Sequence, residues 1–386
     1  MFLLIILWFV FFAGSFGITG FVFLSMRKAV SRPWRINVDD DYKPKISIIV
    51  PTYNESAVIA FKLQNLNKLE YPKELTQIIV VDSRSEDQTV NVVDSFIKEE
   101  SGVNLRIIRD SERRGKSAAL NNALKQCEGD VIIVSDADCF WPSGILRESL
   151  PFLADPSVGA ISGPKLLLNP DQSWVTASEE KYMESHNRIK LGESKINSTV
   201  FFEGGFSAYK KGVIDAFDPY NTGADDAGTV MKVLEKNLRA ILVPQARFFT
   251  TFPVTWEAKV GIKARRGNQL VRVFMKYAGL LAQRRIANSK RVILQNILLY
   301  LLTPFMFVLL LVVTAYFLLM FPYLVLAFLL LLVPQVRRSF FEVIQSYIVL
   351  LLSIVSVAFG KRTLVWGKPP DRNLATEEML HNRMLI

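Results

Sequence analysis

Cysteine and histidine are scarce in this chain of 386 residues, which contains two of each. Cys127 and Cys139 are too few for a disulfide framework and are not spaced as a metal site, which fits a reducing compartment. His186 and His381 are too few and too scattered to suggest a zinc site. Low-complexity stretches and evident internal repeats are also absent, so the middle of the chain reads as ordinary globular sequence.

Apolar residues, by contrast, are abundant and unevenly placed. Half of all residues are hydrophobic, and they concentrate at the two ends of the chain. The formal net charge is +10, and much of the basic excess borders the apolar segments. Lysine and arginine in that position are typical of proteins that meet a lipid surface. We therefore expect membrane lipids as partners and no nucleic acid.

The first apolar segment, residues 2–23, contains no charged residue. About 20 such residues span a bilayer as a helix. A cleaved signal peptide is the alternative, but no basic region precedes this run and the run is long for one. We predict a transmembrane helix over residues 1–25 and a basic juxtamembrane linker over residues 26–43. By the positive-inside rule, Arg27 and Arg32 in that linker place the following domain on the cytoplasmic side of the cell membrane.

The second apolar region, residues 292–333, is too long for one crossing and suits two helices with a break near Phe321-Pro322. A third run, residues 340–359, has basic residues on both sides, so it either crosses the membrane or lies re-entrant or in the interface. We predict two or three transmembrane helices over residues 291–360, with three favoured. A polar tail follows over residues 361–386, on a side of the membrane that the charges leave open.

Between the apolar regions, short runs rich in isoleucine and valine alternate with segments of helical length. Four runs suit strands buried on both faces: residues 46–50, 78–81, 105–108 and 131–134. The alternation predicts an α/β fold with a mainly parallel sheet over residues 44–255. Ligands bind beyond the carboxyl ends of such strands, and three of the four runs are followed by unusually polar residues.

Asp136 and Asp138 come directly after the fourth run. In an extended backbone, side chains two residues apart point the same way, so the two carboxylates repel unless a cation lies between them. Hard oxygen ligands suit Mg²⁺ or Mn²⁺. A solvated loop that happens to carry two acids is the alternative, and the position after a buried strand favours the metal site.

Three further segments each allow two interpretations. Lys116 lies in a basic turn before helical sequence, where it either meets an anion or is solvated. Gly204 and Gly205 either let a ligand approach the backbone closely or form a tight turn. Asp226 either caps the helix that follows it or acts as a general base.

Residues 256–290 are predicted to form amphipathic helices at the membrane interface. Arg265 and Arg266 lie in this stretch among apolar residues. Such a helix either holds anionic lipid headgroups or binds pyrophosphate through arginine, whose planar fork suits phosphate oxygens.

Taken in order, these segments resemble the inverting family-2 glycosyltransferases with the GT-A fold. The motifs that carry the resemblance are residues 48–55 (IIVPTYNE), 80–87 (VVDSRSED), 114–121 (RGKSAALN), 136–138 (DAD), 204–205 (GG) and 224–226 (ADD). The resemblance implies a Rossmann-like mixed sheet flanked by helices. It also implies a nucleotide-sugar donor and a divalent cation, Mg²⁺ or Mn²⁺.

The resemblance further assigns roles to individual residues. Those implied to bind the donor nucleotide are Pro51, Thr52, Tyr53, Glu55, Asp82, Lys116 and Asp136. Those implied to face the diphosphate or the acceptor are Gly204, Gly205, Arg265 and Arg266. Asp138 and Asp136 are implied metal ligands, and Asp226 is the implied catalytic base.

The chain departs from the family pattern near the membrane interface. Synthases that build long polymers carry a QxxRW motif there, and its Trp helps to hold the acceptor glycan. In residues 263–267 the Arg is kept as Arg266, but Lys263 replaces the Gln and Gly267 replaces the Trp. We therefore expect a non-processive, inverting hexosyltransferase that moves a sugar from a nucleotide-diphosphate sugar, with UDP favoured, to a lipid-linked or glycan acceptor. A processive polysaccharide synthase is the alternative, and the oligomeric state stays open.

Overall fold

The structure of this chain, a computed structural model, describes residues 1–100, 102–361 and 374–386. Residues 362–373, which belong to the predicted polar tail, lie outside the described residues. The described residues divide into two compact units. An apolar unit takes its residues from 1–25, 260–283 and 293–361, and an α/β unit takes its residues from 26–259, 284–292 and 374–386.

The strands all lie in the α/β unit. They are β1 (Ile46–Thr52), β2 (Thr76–Asp82), β3 (Leu105–Arg109), β4 (Val131–Val134), β5 (Cys139–Phe140), β6 (Val158–Ser162), β7 (Lys165–Leu167), β8 (Ser207–Lys210), β9 (Arg239–Leu242) and β10 (Phe248–Thr250). Seven of them form a sheet in the order β3-β2-β1-β4-β8-β6-β9. In this sheet β8 runs antiparallel to β4 and β6, and the other neighbours are parallel. The predicted mainly parallel α/β fold is confirmed.

The helices occur in both units. They are α1 (Phe2–Phe12), α2 (Ile18–Val30), α3 (Ile59–Asn67), α4 (Thr89–Glu99), α5 (Lys116–Leu124), α6 (Ile145–Ser149), α7 (Trp174–Ile196), α8 (Asp225–Glu235), α9 (Trp256–Ala282), α10 (Lys290–Ile297), α11 (Thr303–Met320), α12 (Pro334–Ala358) and α13 (Glu377–His381). Short 3₁₀ turns at Lys73–Leu75 and Leu150–Leu153 complete the α/β unit.

The central strands are buried on both faces. Ile46, Ile48, Ile49 and Val50 of β1 are all fully buried. Continuous apolar runs of this kind belong to parallel strands that are covered on both sides of the sheet. β1 extends two residues beyond the predicted run, because Pro51 and Thr52 continue its parallel pairing with β2.

The strand register places the polar loops side by side at one edge of the sheet. Thr52, the last residue of β1, pairs with Asp82, the last residue of β2. Val134, the last residue of β4, pairs with Ile49 of β1. The segments that follow β1, β2 and β4 therefore leave the sheet at its carboxyl edge, where ligands bind in open α/β sheets.

The apolar unit contains helices of membrane-spanning length. Among the residues that the structure describes, three helical runs are long and apolar enough to cross a bilayer: Phe2–Val30, Lys290–Met320 and Pro334–Ala358. A shorter apolar 3₁₀ segment, Pro322–Leu332, follows α11 at the place where the sequence predicts a break.

Polar side chains pair with one another inside this unit. The indole nitrogen of Trp8 donates to Thr314 Oγ1 over 2.9 Å, and the hydroxyls of Thr19 and Tyr347 lie 2.7 Å apart. Such pairs keep polar groups satisfied between apolar helices.

Candidate active site

The loops after β1 and β2 are joined by hydrogen bonds. Asp82 is buried, and its Oδ2 accepts from the backbone N–H of Ser85 over 2.9 Å. Ser85 Oγ in turn accepts from the backbone N–H of Asn54 over 2.8 Å. Thr52 Oγ1 donates to Asp82 Oδ1 over 3.3 Å. Residues that the sequence assigned to one nucleotide pocket therefore lie together.

Tyr53 and Glu55 belong to the same loop. The guanidinium carbon of Arg113 lies 3.7 Å from the centre of the Tyr53 ring, which presents a flat cationic and aromatic surface. The backbone N–H of Glu55 donates to Thr89 Oγ1 over 2.8 Å, which fixes the loop to the first turn of α4.

Asp136 and Asp138 lie in the turn between β4 and β5. Oxygen atoms of these two carboxylates and the sulfur of Cys139 lie within 4.8 Å of one another. Asp138 is 4% exposed, and the backbone N–H of Asp136 donates to the carbonyl of Gly204 over 3.1 Å. This hydrogen bond fixes the start of the turn, and the two carboxylates lie close together.

The chemistry of this group fits a hard divalent cation. Burial raises the pKa of Cys139, and the neighbouring Asp138 raises it further. Hard divalent cations prefer oxygen to sulfur, which makes the carboxylate oxygens of Asp136 and Asp138 the suitable donors. Oxygen ligands of this type suit Mg²⁺ or Mn²⁺.

Lys116 links the two acidic segments of the site. Its Nζ lies 2.7 Å from Asp136 Oδ1 and 2.9 Å from Asp225 Oδ2. Burial lowers the pKa of Lys116, but Asp136 and Asp225 raise it by more, so the ammonium stays charged. Gly115, with a φ of 93°, precedes α5 and starts the helix at Lys116. A residue with a Cβ would be strained in that conformation.

Gly204 and Gly205 leave no room for a side chain. A Cβ on Gly204 would lie 2.6 Å from Lys116 Nζ and 2.9 Å from Asp136 Oδ2. A Cβ on Gly205 would lie 2.1 Å from the ring of Phe248. The glycine pair therefore lets the backbone approach Lys116 and Asp136 closely, in addition to making a turn.

Asp226 lies in the first turn of α8. Its Oδ1 accepts from the backbone N–H of Ala227 over 2.7 Å, and no side-chain cap is made by the residue before the helix. Burial and the adjacent Asp225 raise the pKa of Asp226 to about 7. A carboxylate that titrates near neutral pH is well matched to general-base work.

Comparison with known proteins identifies the family. Residues 44–268, more than half of the chain, match the family model described as "Glycosyltransferase like family 2". The chain belongs to glycosyltransferase family 2. The family predicted from the sequence motifs is confirmed, and the residues matched include the whole set of clustered acids.

Several curated relatives are similar over part of their length. A beta-monoglucosyldiacylglycerol synthase from Synechocystis is 34% identical over 138 residues, which cover 35% of this chain and 28% of that protein. A probable glycosyltransferase of Bacillus subtilis, YdaM, is 28% identical over 251 residues, which cover 62% of this chain and 58% of the relative. Each of these matches spans less than two thirds of the relative.

One solved structure is similar over its entire length. A mannosyltransferase from Pyrobaculum calidifontis, PcManGT, in complex with GDP-Man and Mn²⁺, is 27% identical with a TM-score of 0.78. The match covers 93% of this chain and 100% of that one. The GT-A fold is thereby confirmed, and use of a divalent metal is expected for that fold.

Two predicted site residues of this family-2 chain lie in the other unit. Arg265 and Arg266 are on α9, within the part that belongs to the apolar unit. In that unit, Lys263 Nζ donates to Gln345 Oε1 over 3.4 Å. The proposed contact of the two arginines with diphosphate stays a prediction.

Two residues near the DAD turn were assigned no role from the sequence. Lys62 is fully buried, and its Nζ donates to the carbonyl of Cys139 over 2.6 Å. Asp225 was considered only as part of the ADD motif, yet it is the partner of Lys116. Lys62 could have been noticed, because it is a charged residue on the buried face of α3 beside Ile59 and Leu63.

Proposed function

We propose that this family-2 glycosyltransferase moves a sugar from a nucleotide-diphosphate sugar to a hydroxyl of a lipid-linked or glycan acceptor, with inversion. One observation carries the proposal. Lys116 contacts Asp136 of the DAD turn and Asp225, which precedes Asp226. The donor-side carboxylates and the candidate base therefore belong to one charged centre.

The donor side of the reaction requires nucleotide recognition and neutralisation of the leaving diphosphate. Asp82 and the loop from Pro51 to Glu55 would hold the nucleoside. Asp138 and Asp136 would hold Mg²⁺ or Mn²⁺, which would supply Lewis-acid stabilisation of the leaving group. Lys116 would add a fixed positive charge beside the diphosphate, because its own pKa is raised.

On the acceptor side, Asp226 would remove the proton from the attacking hydroxyl. The oxygen would then form its bond to the anomeric carbon from the face opposite the departing diphosphate, which inverts the configuration. A pKa of about 7 supports this role, since the ionised carboxylate is present at neutral pH and is basic enough to accept a proton. An already ionised lipid phosphate would not need such a base.

A membrane acceptor is supported by the apolar unit and by one relative. Three helices have the length and composition to cross a bilayer. The Synechocystis relative is named for synthesis of a glucosylated diacylglycerol. We propose UDP-sugars as donors from the family resemblance, and the GDP-Man bound by the Pyrobaculum enzyme makes GDP-mannose the first competitor to test.

The direct test is incubation of membranes containing the chain with labelled UDP- and GDP-sugars. We expect one donor to release its nucleoside diphosphate and to label a lipid-soluble or short glycan product by a single sugar. Membranes prepared without the chain serve as the blank. Release from none of the donors would contradict the transferase proposal, and a long polymeric product would replace it with the processive synthase.

The pH dependence of turnover provides a further prediction. Because the folded-state pKa of Asp226 is raised to about 7, the base is protonated and inactive below that pH. We expect kcat/KM with a hydroxyl acceptor to fall about tenfold per pH unit below neutrality and to level off above it. A pH–rate profile that stays flat through about pH 6, or that rises towards acid, would contradict the assignment.

A further inference from the structure

Residues 374–386, here called the clasp, pack into an apolar pocket of the α/β unit. Leu380 is fully buried, and Leu385 and Ile386 are 1% and 5% exposed. The buried residues that form the cluster with them are Val58, Phe140, Leu168, Phe249 and Ala375. Burial of large apolar side chains is the main source of stability at such contacts, so this segment is docked rather than merely near.

The clasp has its own local structure. Thr376 caps α13 by accepting a hydrogen bond from the backbone N–H of Met379 over 3.3 Å. Beyond the helix, the guanidinium carbon of Arg383 lies 5.1 Å from the centre of the Phe249 ring. Met384 takes a φ of 55°, and the following two side chains then enter the pocket.

Asn65 of α3 connects the clasp to the segment that follows the DAD turn. It is 1% exposed, and its Nδ2 donates to the carbonyls of Leu385 and Trp141, each over 2.7 Å. Its Oδ1 accepts from the backbone N–H of Trp141 over 2.9 Å. One side chain therefore fixes both main-chain groups of Trp141 and the main chain of the clasp.

Lys62 holds the same segment three residues earlier on α3, on the same face of the helix. Its Nζ donates to the carbonyl of Cys139 over 2.6 Å and lies 4.2 Å from the centre of the Trp141 ring. β5, which starts at Cys139, is only two residues long and pairs with β10. A strand of two residues makes few hydrogen bonds to its neighbours. Side chains of α3 provide further hydrogen bonds to its main chain and to the residue after it.

Trp141 extends this support to the glycine pair. Its indole nitrogen donates to the carbonyl of Gly205 over 2.8 Å, and its ring packs edge-on against Phe206. The network that begins at the clasp thus reaches the DAD turn through β5 and the glycine turn through Trp141. The first of these segments carries Asp136 and Asp138, and the second lies against Lys116.

We propose that the clasp is a positioning element of the active site, which acts through Asn65 and Trp141 on the turn that carries Asp136 and Asp138. Docking of Leu380 and Leu385 against Phe140 and Phe249 sets the position of β5, and β5 starts at the residue after Asp138. Displacement of reacting groups by about 1 Å lowers turnover by about 100-fold, so such support bears directly on catalysis. The proposal rests on the proposed function for the identity of the metal ligands.

The test replaces Leu380 and Leu385 by aspartate in the full chain, purified in detergent. Two charges cannot stay in an apolar pocket without partners, so the clasp should leave it. Binding of Mn²⁺ alone is measured by the loss of its free-ion electron paramagnetic resonance signal. We expect the dissociation constant to rise at least about tenfold and kcat to fall about 100-fold. Trypsin cleavage after Arg383 should accelerate at least about tenfold.

Met384→Asn is the matched control within the clasp. Met384 is 86% exposed, and asparagine adopts its positive φ readily, so Mn²⁺ binding, kcat and cleavage should stay at wild-type values. If the double variant is too unstable to purify, a chain lacking residues 374–386 is used with a synthetic peptide of that sequence. Restoration of Mn²⁺ affinity and turnover by the peptide, and not by its Leu380→Asp/Leu385→Asp form, is the expected result.

Two outcomes would overturn the proposal. Faster cleavage at Arg383 with unchanged Mn²⁺ affinity and turnover would mean that the clasp covers the pocket without positioning the site. Unchanged cleavage would mean that Leu380 and Leu385 do not hold it. Failure of the proposed function is recognised separately, because the wild-type chain would then release nucleoside diphosphate from none of the donors, while cleavage at Arg383 would still report the docking.

Discussion

Replacing Asp226 with asparagine is expected to lower kcat for a hydroxyl acceptor by about 10²–10⁴-fold. Asparagine keeps the size of the side chain but cannot accept the proton that the attacking oxygen must lose. The raised pKa of Asp226, caused by burial and by Asp225, makes it the acid best suited to this step. The measurement is steady-state turnover with a hydroxyl acceptor, with donor binding determined separately to show that the donor site is intact.

Asp215→Asn is the matched control for this experiment. The Asp215 side chain is 69% exposed and lies 3.8 Å from Lys232, so its loss should leave turnover unchanged. Undiminished turnover of the Asp226→Asn variant with a hydroxyl acceptor would show that another group is the base. Wild-type turnover confined to a phosphate acceptor would instead mean that no base is required.

The second large effect is expected at Asp138. Asp138→Asn removes one of the two carboxylates proposed to hold the cation, and the other, Asp136, already contacts Lys116. The remaining group should hold a divalent cation poorly. We expect kcat to fall about 10²–10³-fold, as when one charge-stabilising group is deleted from an active site. The dissociation constant for Mn²⁺, measured without donor, should rise at least about tenfold in this variant.

Asp171→Asn provides the comparison for this variant, since Asp171 is an exposed acid that precedes α7. Its Mn²⁺ binding and turnover should equal those of the wild type. If Asp138→Asn retained the wild-type dependence of turnover on Mn²⁺ and Mg²⁺, the metal assignment would be wrong. If both metals could be removed by a chelator without effect, Lys116 would be the main neutralising group.

The sheet and the carboxylates were predictable because their signals are local. Continuous isoleucine and valine runs define β1 and β4, and a strand of this type ends at the ligand-binding edge whatever its neighbours are. The Asp136 and Asp138 side chains were expected to lie close together because a single residue separates them and a buried strand precedes them. The same reasoning placed Thr52 and Asp82 at the carboxyl edge, where parallel pairing brings them together.

The contacts that tie the site together were not predictable, because they join residues far apart in the chain. Lys116 meets Asp225 only after the sheet has formed, and no local pattern selects Asp225 over Asp226 as its partner. Residues 374–386 carry several charged side chains and were predicted to be a polar tail. Their buried Leu380 and Leu385 are five residues apart on a short helix and its exit, which gives no helical periodicity to recognise.

The docking of two separate segments on the α/β unit constrains how the chain can thread a bilayer. The first docked segment precedes the apolar residues 290–358, and in it the backbone N–H of Ala287 donates to Asn237 Oδ1 over 3.0 Å. After that region, Asn65 holds the carbonyl of Leu385. A chain that leaves a membrane face and returns to it crosses an even number of times. If the runs Lys290–Met320 and Pro334–Ala358 cross a bilayer, we therefore expect them to cross as a pair.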